Sequence, residues 1–226
     1  MENRYIYHHL GLGDHIICNG MIRHFCELYD HITLFCYTHY AKNVKYMFRD
    51  LKNLIILDFK TEPEVVSYIT QNNLQKDLIR IGFENLHQHL TYTTFDKAFY
   101  TLAGLDFDIR FSKFYLQRDY SREEELVKTL NPTGEPYAFV HDDPDRGYSI
   151  DIDCDYNIIR NDKRFLLFDY ISLLENAEQI HLMQSSFKDM INSFKMNKPK
   201  IYQHNYVRNY PKSIHSVGLN YIEEIN

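Results

Sequence analysis

One segment constrains the fold more than any other. Tyr5-Ile6-Tyr7-His8-His9 is a short β-prone run that ends in the glycine turn Leu10-Gly11-Leu12-Gly13-Asp14. Ile16, Ile17, Gly20, Met21, His24, Phe25 and Leu28 then recur at helical spacing, with Arg23 and Glu27 four apart on the other face. A strand feeding through a tight turn into an amphipathic helix opens a βαβ unit, and the alternation continues. His31 to Tyr37 reads as strand, a helical stretch ends near Phe48, Asn53 to Leu57 is a further apolar run, and a helix is expected from Pro63 to about Asn72. Leu78 to Ile81 adds a short strand, and Phe95 to Leu105 reads as a helix stopped by Gly104. This order predicts an α/β layer sandwich with a mostly parallel sheet.

Between Arg118 and Pro136 the composition shifts to charges and turn formers, with Ser121-Arg122-Glu123-Glu124 opening a capped helix and Asn131-Pro132-Thr133-Gly134 closing it. A domain junction is expected there, giving an N-terminal domain over 1–118 and a C-terminal domain over 119–226. The pattern restarts with strand Tyr137 to His141 and the polar loop Asp142 to Gly147, followed by an alternating run, Ile150, Ile152, Cys154, Tyr156, Ile158. Helix Phe168 to Asn176, strand Gln179 to Met183, helix Phe187 to Phe194 and strand Lys200 to His204 complete a second α/β unit.

Composition narrows the function classes. The 226 residues carry 25 Lys+Arg against 31 Asp+Glu, so no global positive field is present to hold a nucleic-acid backbone. The 19 Tyr and 15 Phe supply more buriable surface than a disordered chain carries. Apolar runs such as Leu54 to Leu57 are far shorter than the ~20 residues of a membrane span, and the N-terminus has no signal-type apolar core. A cytoplasmic protein without a transmembrane segment is expected, with peripheral membrane contact and oligomeric state left open. Cys18, Cys26, Cys36 and Cys154 form no C-x-x-C pair and read as small core residues.

In an open α/β sheet the ligand crevice lies beyond the carboxyl ends of the strands, and three strand-to-helix loops carry suitable chemistry. In the first, Gly11 and Gly13 let the backbone approach a ligand while Asp14 and His15 sit at a helix start, where either offers a general base; the alternative is a plain turn with Asp14 as N-cap. The loop lacks the dinucleotide-binding pattern, since Ile16 stands where the third glycine belongs. The second loop, Gln184-Ser185-Ser186-Phe187, sets two hydroxyls at a helix N-terminus suited to a diphosphate, or one serine simply caps that helix. In the third, His141, Asp142, Asp143 and Arg146 place a guanidinium within reach of a phosphate, or of the loop's own aspartates.

Other patterns carry less. Asp151-x-Asp153-x-Asp155 imitates a calcium loop, but Tyr156 and Asp162 occupy the positions that need Gly and Glu, and alternation on a strand explains it better. His8-His9 and His87-x-His89 have no companions at zinc-ligand spacing, so no metal site is expected. The tail Gln203 to Tyr210 is polar and aromatic and either lines a substrate cleft or forms a surface segment.

Taken together, YIYHHLGLGDHIICNGMIRHF resembles the first strand, loop and helix of heptosyltransferase-like glycosyltransferases, and PYAFVHDDPDRG with AEQIHLMQSSFKDM resembles the donor-domain strands of GT-B enzymes, including fucosyltransferase-like ones. The resemblance implies two Rossmann-like α/β domains facing across a cleft. It implies Asp14, or less directly His15, as the base of an inverting, metal-independent transfer from a nucleotide-diphosphate sugar to a hydroxyl of a glycan or other acceptor, in glycan or surface-polysaccharide synthesis. Ser185, Ser186 and Phe187 match the turn that receives the donor diphosphate, and Lys188 or Arg208 are basic residues near enough in sequence to assist. No cofactor beyond the nucleotide-sugar co-substrate is implied. The competing expectation is a non-catalytic nucleotide- or sugar-binding protein of the same fold.

Overall fold

In a computed structural model of the chain, residues 3–91, 93–196, 199–207 and 222–225 are described. They form two compact units that divide after Gln117. The N-terminal unit runs β1 (Asn3–Tyr7), α1 (Leu12–Ile17), α2 (Asn19–Leu28), β2 (His31–Tyr37), α3 (Ala41–Met47), β3 (Leu54–Phe59), α4 (Glu62–Gln71), β4 (Leu78–Arg80), α5 (Leu86–His89), α6 (Phe95–Leu102) and α7 (Ile109–Ser112). Its sheet has the order β3-β2-β1-β4 and every pairing is parallel, with Asn3 opposite His31 and Tyr7 opposite Arg80. The chain thus builds outward from β1 to β3 and then returns to place β4 on the other side of β1.

Parallel strands covered by helices on their faces need apolar residues along both faces, and Ile32, Leu34, Phe35 and Cys36 of β2 are all fully buried. On one side Tyr7, Leu10, Phe35, Val65 and Ile69 make a cluster against which Tyr5, Phe59 and Tyr68 pack. The helix expected after the glycine turn is divided: Cys18, at φ −82° and ψ 0°, separates α1 from α2, although its N–H still donates to the Asp14 carbonyl. At Gly20, α2 lies directly on the backbone carbonyls of Ile109 and Arg110, an approach that leaves no space for a Cβ.

The C-terminal unit runs α8 (Tyr120–Leu130), β5 (Tyr137–His141), β6 (Asn157–Arg160), α9 (Ile171–Asn176), β7 (Gln179–Leu182), α10 (Ser186–Phe194), β8 (Lys200–His204) and β9 (Ile222–Ile225). Its sheet order is β6-β5-β7-β8-β9, again parallel throughout. Two expectations are corrected here. The cap of α8 is Asp119, whose carboxylate accepts from the Arg122 N–H at 3.2 Å, rather than Ser121. The alternating run from Ile150 is not a strand until Asn157: the Ile150 N–H donates to the Asp142 carboxylate at 3.0 Å instead of to a neighbouring strand, and Ile150 and Ile152 pack with Val140 and Met183. No helix among the described residues is long and apolar enough to cross a membrane.

Candidate functional site

Strand order locates a crevice in each unit. In the N-terminal sheet the order reverses at β1, with β2 and β3 on one side and β4 on the other, and in the C-terminal sheet β5 and β7 are neighbours whose following strands lie on opposite sides. Such reversals hold the carboxyl-end loops apart and open a ligand crevice between them.

At the N-terminal crevice the loop after β1 reaches α1 through Gly11, an extended residue at φ −69° and ψ 150° that serves as N-cap without a side chain. Asp14 is therefore not the cap. It stands in the first helical turn, and its carboxylate folds back so far that a methyl group on Gly11 would lie 2.5 Å from Asp14 Oδ2. Gly11, Gly13 and Asp14 are all partly exposed. Behind them, His8 and His15 are 0% exposed, with rings edge to face at 4.4 Å. The Nδ1 of His8 donates to the His9 carbonyl, while His8 Nε2 and both His15 nitrogens are buried without hydrogen-bond partners among the described residues. Burial lowers the His8 pKa to about 4 and holds His15 well below the usual range, so both rings are neutral at pH 7. Neutrality would suit a base, but at 0% exposure the His15 ring presents no surface to a bound hydroxyl, so the structure holds it behind the crevice rather than in it.

In the same crevice, His8, His9, Leu10, Tyr37, Glu62 and Phe83 line a cavity of about 250 Å³. Glu62 opens α4 and accepts a 2.5 Å hydrogen bond from the Tyr7 hydroxyl. Burial, with this bond next, raises the Tyr7 pKa, so the phenol stays protonated. Just before Phe83 the backbone turns at Gly82, where φ is +84° and the Phe99 ring occupies the space a side chain would need.

The C-terminal crevice is built on Ser185. It is the N-cap of α10, with extended φ −164° and ψ 174°, yet its side chain makes no cap hydrogen bond, and its Oγ is buried without a partner among the described residues. Ser186 begins the helix beside it. Lys188, 3% exposed in the first turn, donates from Nζ to Gln184 Oε1 at 3.2 Å. A cation there opposes the helix dipole and gains from a neighbouring anion.

The full length of the chain is similar in structure to a glycosyl transferase family 9 protein from Veillonella parvula DSM 2008, with a TM-score of 0.57 and 11% identity over 100% of this chain and 87% of that one. The fold is of the GT-B type. No protein-family model matches the sequence, and no curated protein matches it.

Within this GT-B frame the expected donor residues separate into groups. Gln184, Ser185 and Ser186 stand together at the start of α10. Phe187, 6% exposed, is instead a core ring between Phe139, Tyr170 and His141. His141 donates to Asn161 Oδ1 at 3.1 Å. Asp142 is buried and paired with Arg160, which makes it a structural group of the loop. Asp143 pairs with Lys163 at 3.3 Å and with Arg146 at 3.7 Å, and the Arg146 side chain is 61% exposed. Arg146 thus follows the alternative reading, a solvated turn with its own ion pair. Arg208 and the rest of the tail from 208 to 210 lie outside the described residues. Sequence reasoning missed Tyr37, Glu62 and Phe83, which come from three separate strand ends; the one available signal was an acidic residue opening the helix after β3.

Proposed function

We propose that this chain is a glycosyltransferase that moves a sugar from a nucleotide-diphosphate donor to an acceptor hydroxyl. Ser185 carries the reading: a cap-position hydroxyl that makes no cap bond, enclosed at a helix N-terminus beside Ser186 and a buried lysine, is matched to phosphate oxygens. The C-terminal unit holds the donor there, and the N-terminal unit supplies base and acceptor.

Asp14 takes the proton as the acceptor oxygen attacks the anomeric carbon. The bond from that carbon to the diphosphate oxygen breaks, its electron pair leaves with the nucleoside diphosphate, and the configuration inverts. Positive charge gathers on the sugar ring as in glycoside hydrolysis. The α10 N-terminus, the two serine hydroxyls and Lys188 meet the growing negative charge without a metal or any further cofactor. Such an enzyme works in the cytoplasm, where nucleotide sugars are made.

Calorimetric titration with GDP, UDP, ADP, CMP and dTDP, with magnesium and with EDTA, tests the donor half. Selective binding of one nucleoside diphosphate regardless of metal is expected, and binding of none by the folded protein overturns the reading. Asp14→Asn is expected to abolish transfer while leaving that binding nearly intact. Turnover within a few-fold of wild type removes Asp14 as the base, and nucleotide binding without any transfer by the wild-type chain points to the non-catalytic binder.

A further inference from the structure

A file of hydrogen-bonded side chains runs along one face of the C-terminal sheet and ends at the surface. His181 Nε2 stands 3.1 Å from Gln179 Oε1, His181 Nδ1 is 2.9 Å from His204 Nε2, and His204 Nδ1 is 3.1 Å from the Tyr206 hydroxyl. His181 and His204 are 6% and 3% exposed, whereas Tyr206 is 53% exposed. Because β7 and β8 are parallel neighbours, the file leads from the amino end of β7 to the carboxyl edge of the sheet, the edge that also carries Gln184, Ser185 and Ser186. Val207, beside Tyr206, packs against the cluster of Val140, Ile150 and Met183, and Met183 immediately precedes Gln184.

Donor and acceptor roles along this file are locked together. The amide oxygen of Gln179 accepts, so His181 carries its proton on Nε2 and accepts at Nδ1; His204 then donates from Nε2 and accepts from the Tyr206 hydroxyl at Nδ1. In that order the phenol proton points inward. A half-turn of the Gln179 amide permits the reverse, in which Gln179 Nε2 donates to His181, each ring donates from Nδ1 to the next group, and the phenol proton is freed for a ligand. Each shared proton crosses its hydrogen bond; one proton leaves His181 Nε2 at the partly exposed Gln179 end and one from solvent reaches the Tyr206 oxygen, so the count is unchanged. Both orders pair all four ring nitrogens, whereas a mixed order sets two lone pairs or two protons face to face and forfeits a buried hydrogen bond.

The surroundings keep the file neutral. Val140 stands opposite His181, Tyr202 stacks on the His181 ring at 4.7 Å, and Tyr148, Ile150 and Ile152 pack around Val140. The charged residues that share this face by register are exposed or already paired: Lys200 opposite Gln179, Glu223 opposite Tyr202, and Arg160 opposite Val140, bound to Asp142. Burial lowers the pKa of both rings, so neither is charged at pH 7. An oxyanion accepts hydrogen bonds and donates none, so one at the carboxyl edge draws the phenol proton outward and the rest of the file with it. Resting on the donor reading above, we propose that Gln179, His181, His204 and Tyr206 act as one tautomeric relay that turns the Tyr206 hydroxyl from acceptor to donor when a phosphate stands at this edge. Tyr206 is the group that meets the anion, and the two histidines are positioning residues that act through it.

Nitrogen NMR of the full chain, isotope-labelled at histidine and held at pH 7, tests this with pyrophosphate as the probe. Before its addition a coupling across the hydrogen bond from His204 Nε2 to His181 Nδ1 is expected, with both rings protonated at Nε2. Saturating pyrophosphate should move both protons to Nδ1 together. Tyr206→Phe, at an exposed position, should abolish that move and weaken pyrophosphate about tenfold, as when a hydrogen bond to a charged group is lost, and a circular dichroism spectrum shows that the variant is folded. Absence of the coupling, or a change in one ring alone, overturns the relay. Pyrophosphate bound to the wild-type chain with both tautomers unchanged sinks the relay and leaves the donor reading standing. Failure of pyrophosphate and of every nucleoside diphosphate to bind, with the ring coupling present, removes the donor reading and, with it, the ligand assigned to Tyr206.

Discussion

The Asp14 carboxylate lies folded over Gly11, so that the α-carbon of one residue fixes where the acid of the other can rest. Gly11 has an extended backbone, φ −69° and ψ 150°, that any residue can adopt, so what its missing side chain provides is room for this carboxylate. Gly11→Ala is expected to push the carboxylate aside by about an ångström, because its terminus is the only group in the way that can swing clear. Misplacement of that size can cost around 10²-fold in rate. Thermal unfolding should change little while transfer falls steeply, and a large loss of stability with normal turnover would show that the contact serves the fold.

Ser185→Ala separates a cap from a ligand group. Removing a serine cap ordinarily costs about 0.5–2 kcal/mol. Here the hydroxyl makes no cap bond, so urea unfolding of the free protein should move by less than that or shift toward greater stability. Nucleoside diphosphate affinity should fall several-fold in the same variant, more so with Ser186→Ala.

The sealed histidines set an acid limit on stability. The unfolded chain takes up protons at histidine near pH 6.5, whereas folded His8 resists protonation down to about 4. Between those values the unfolded state binds more protons, so stability declines as pH falls through this window, by up to about 3 kcal/mol from His8 alone. His181, lowered to about 4 by burial and by the adjacent His204, adds to the slope. Denaturant titrations at pH 7 and pH 5 should show this loss, and His8→Leu should reduce it.

Gly20→Ala should be costly for a different reason. The added Cβ would meet the Ile109 and Arg110 carbonyls, which are backbone and cannot rotate away. Overpacking of this kind costs about 1–3 kcal/mol, read as a lower urea midpoint with nucleotide binding retained in whatever remains folded.

The α/β alternation was legible in the sequence because each element carried its own period. β2 spans His31–Tyr37 and α6 starts at Phe95, as the apolar spacing indicated. Failures came where a side chain outside the element decided its end. The Asp142 carboxylate captures the Ile150 N–H and delays β6 to Asn157, and Asp119 takes the cap that Ser121 was expected to provide. The candidate site was partly legible for a related reason. Loop residues contiguous in sequence, such as Gly11 to Asp14 and Gln184 to Ser186, announce themselves together. Whether a ring like Phe187 or His15 turns inward depends on what packs against it, and the Tyr37, Glu62 and Phe83 grouping exists only once three strand ends are brought to one edge.

Both sheets are parallel at every pairing, which has a consequence for how the chain reaches its native state. Among the described residues no hairpin starts either sheet, and even the shortest crossover must close from Tyr137 to Asn157 before a single ladder bond forms. In the first sheet, the central β1 gains its second neighbour only when Tyr5 meets Leu78. Loop-closure entropy is thus spent ahead of the contacts that reward it, and such topologies fold slowly and leave strand edges uncovered while they do. Refolding from denaturant should be slow and sensitive to protein concentration, and dilute, cool conditions will favour recovery of active chain.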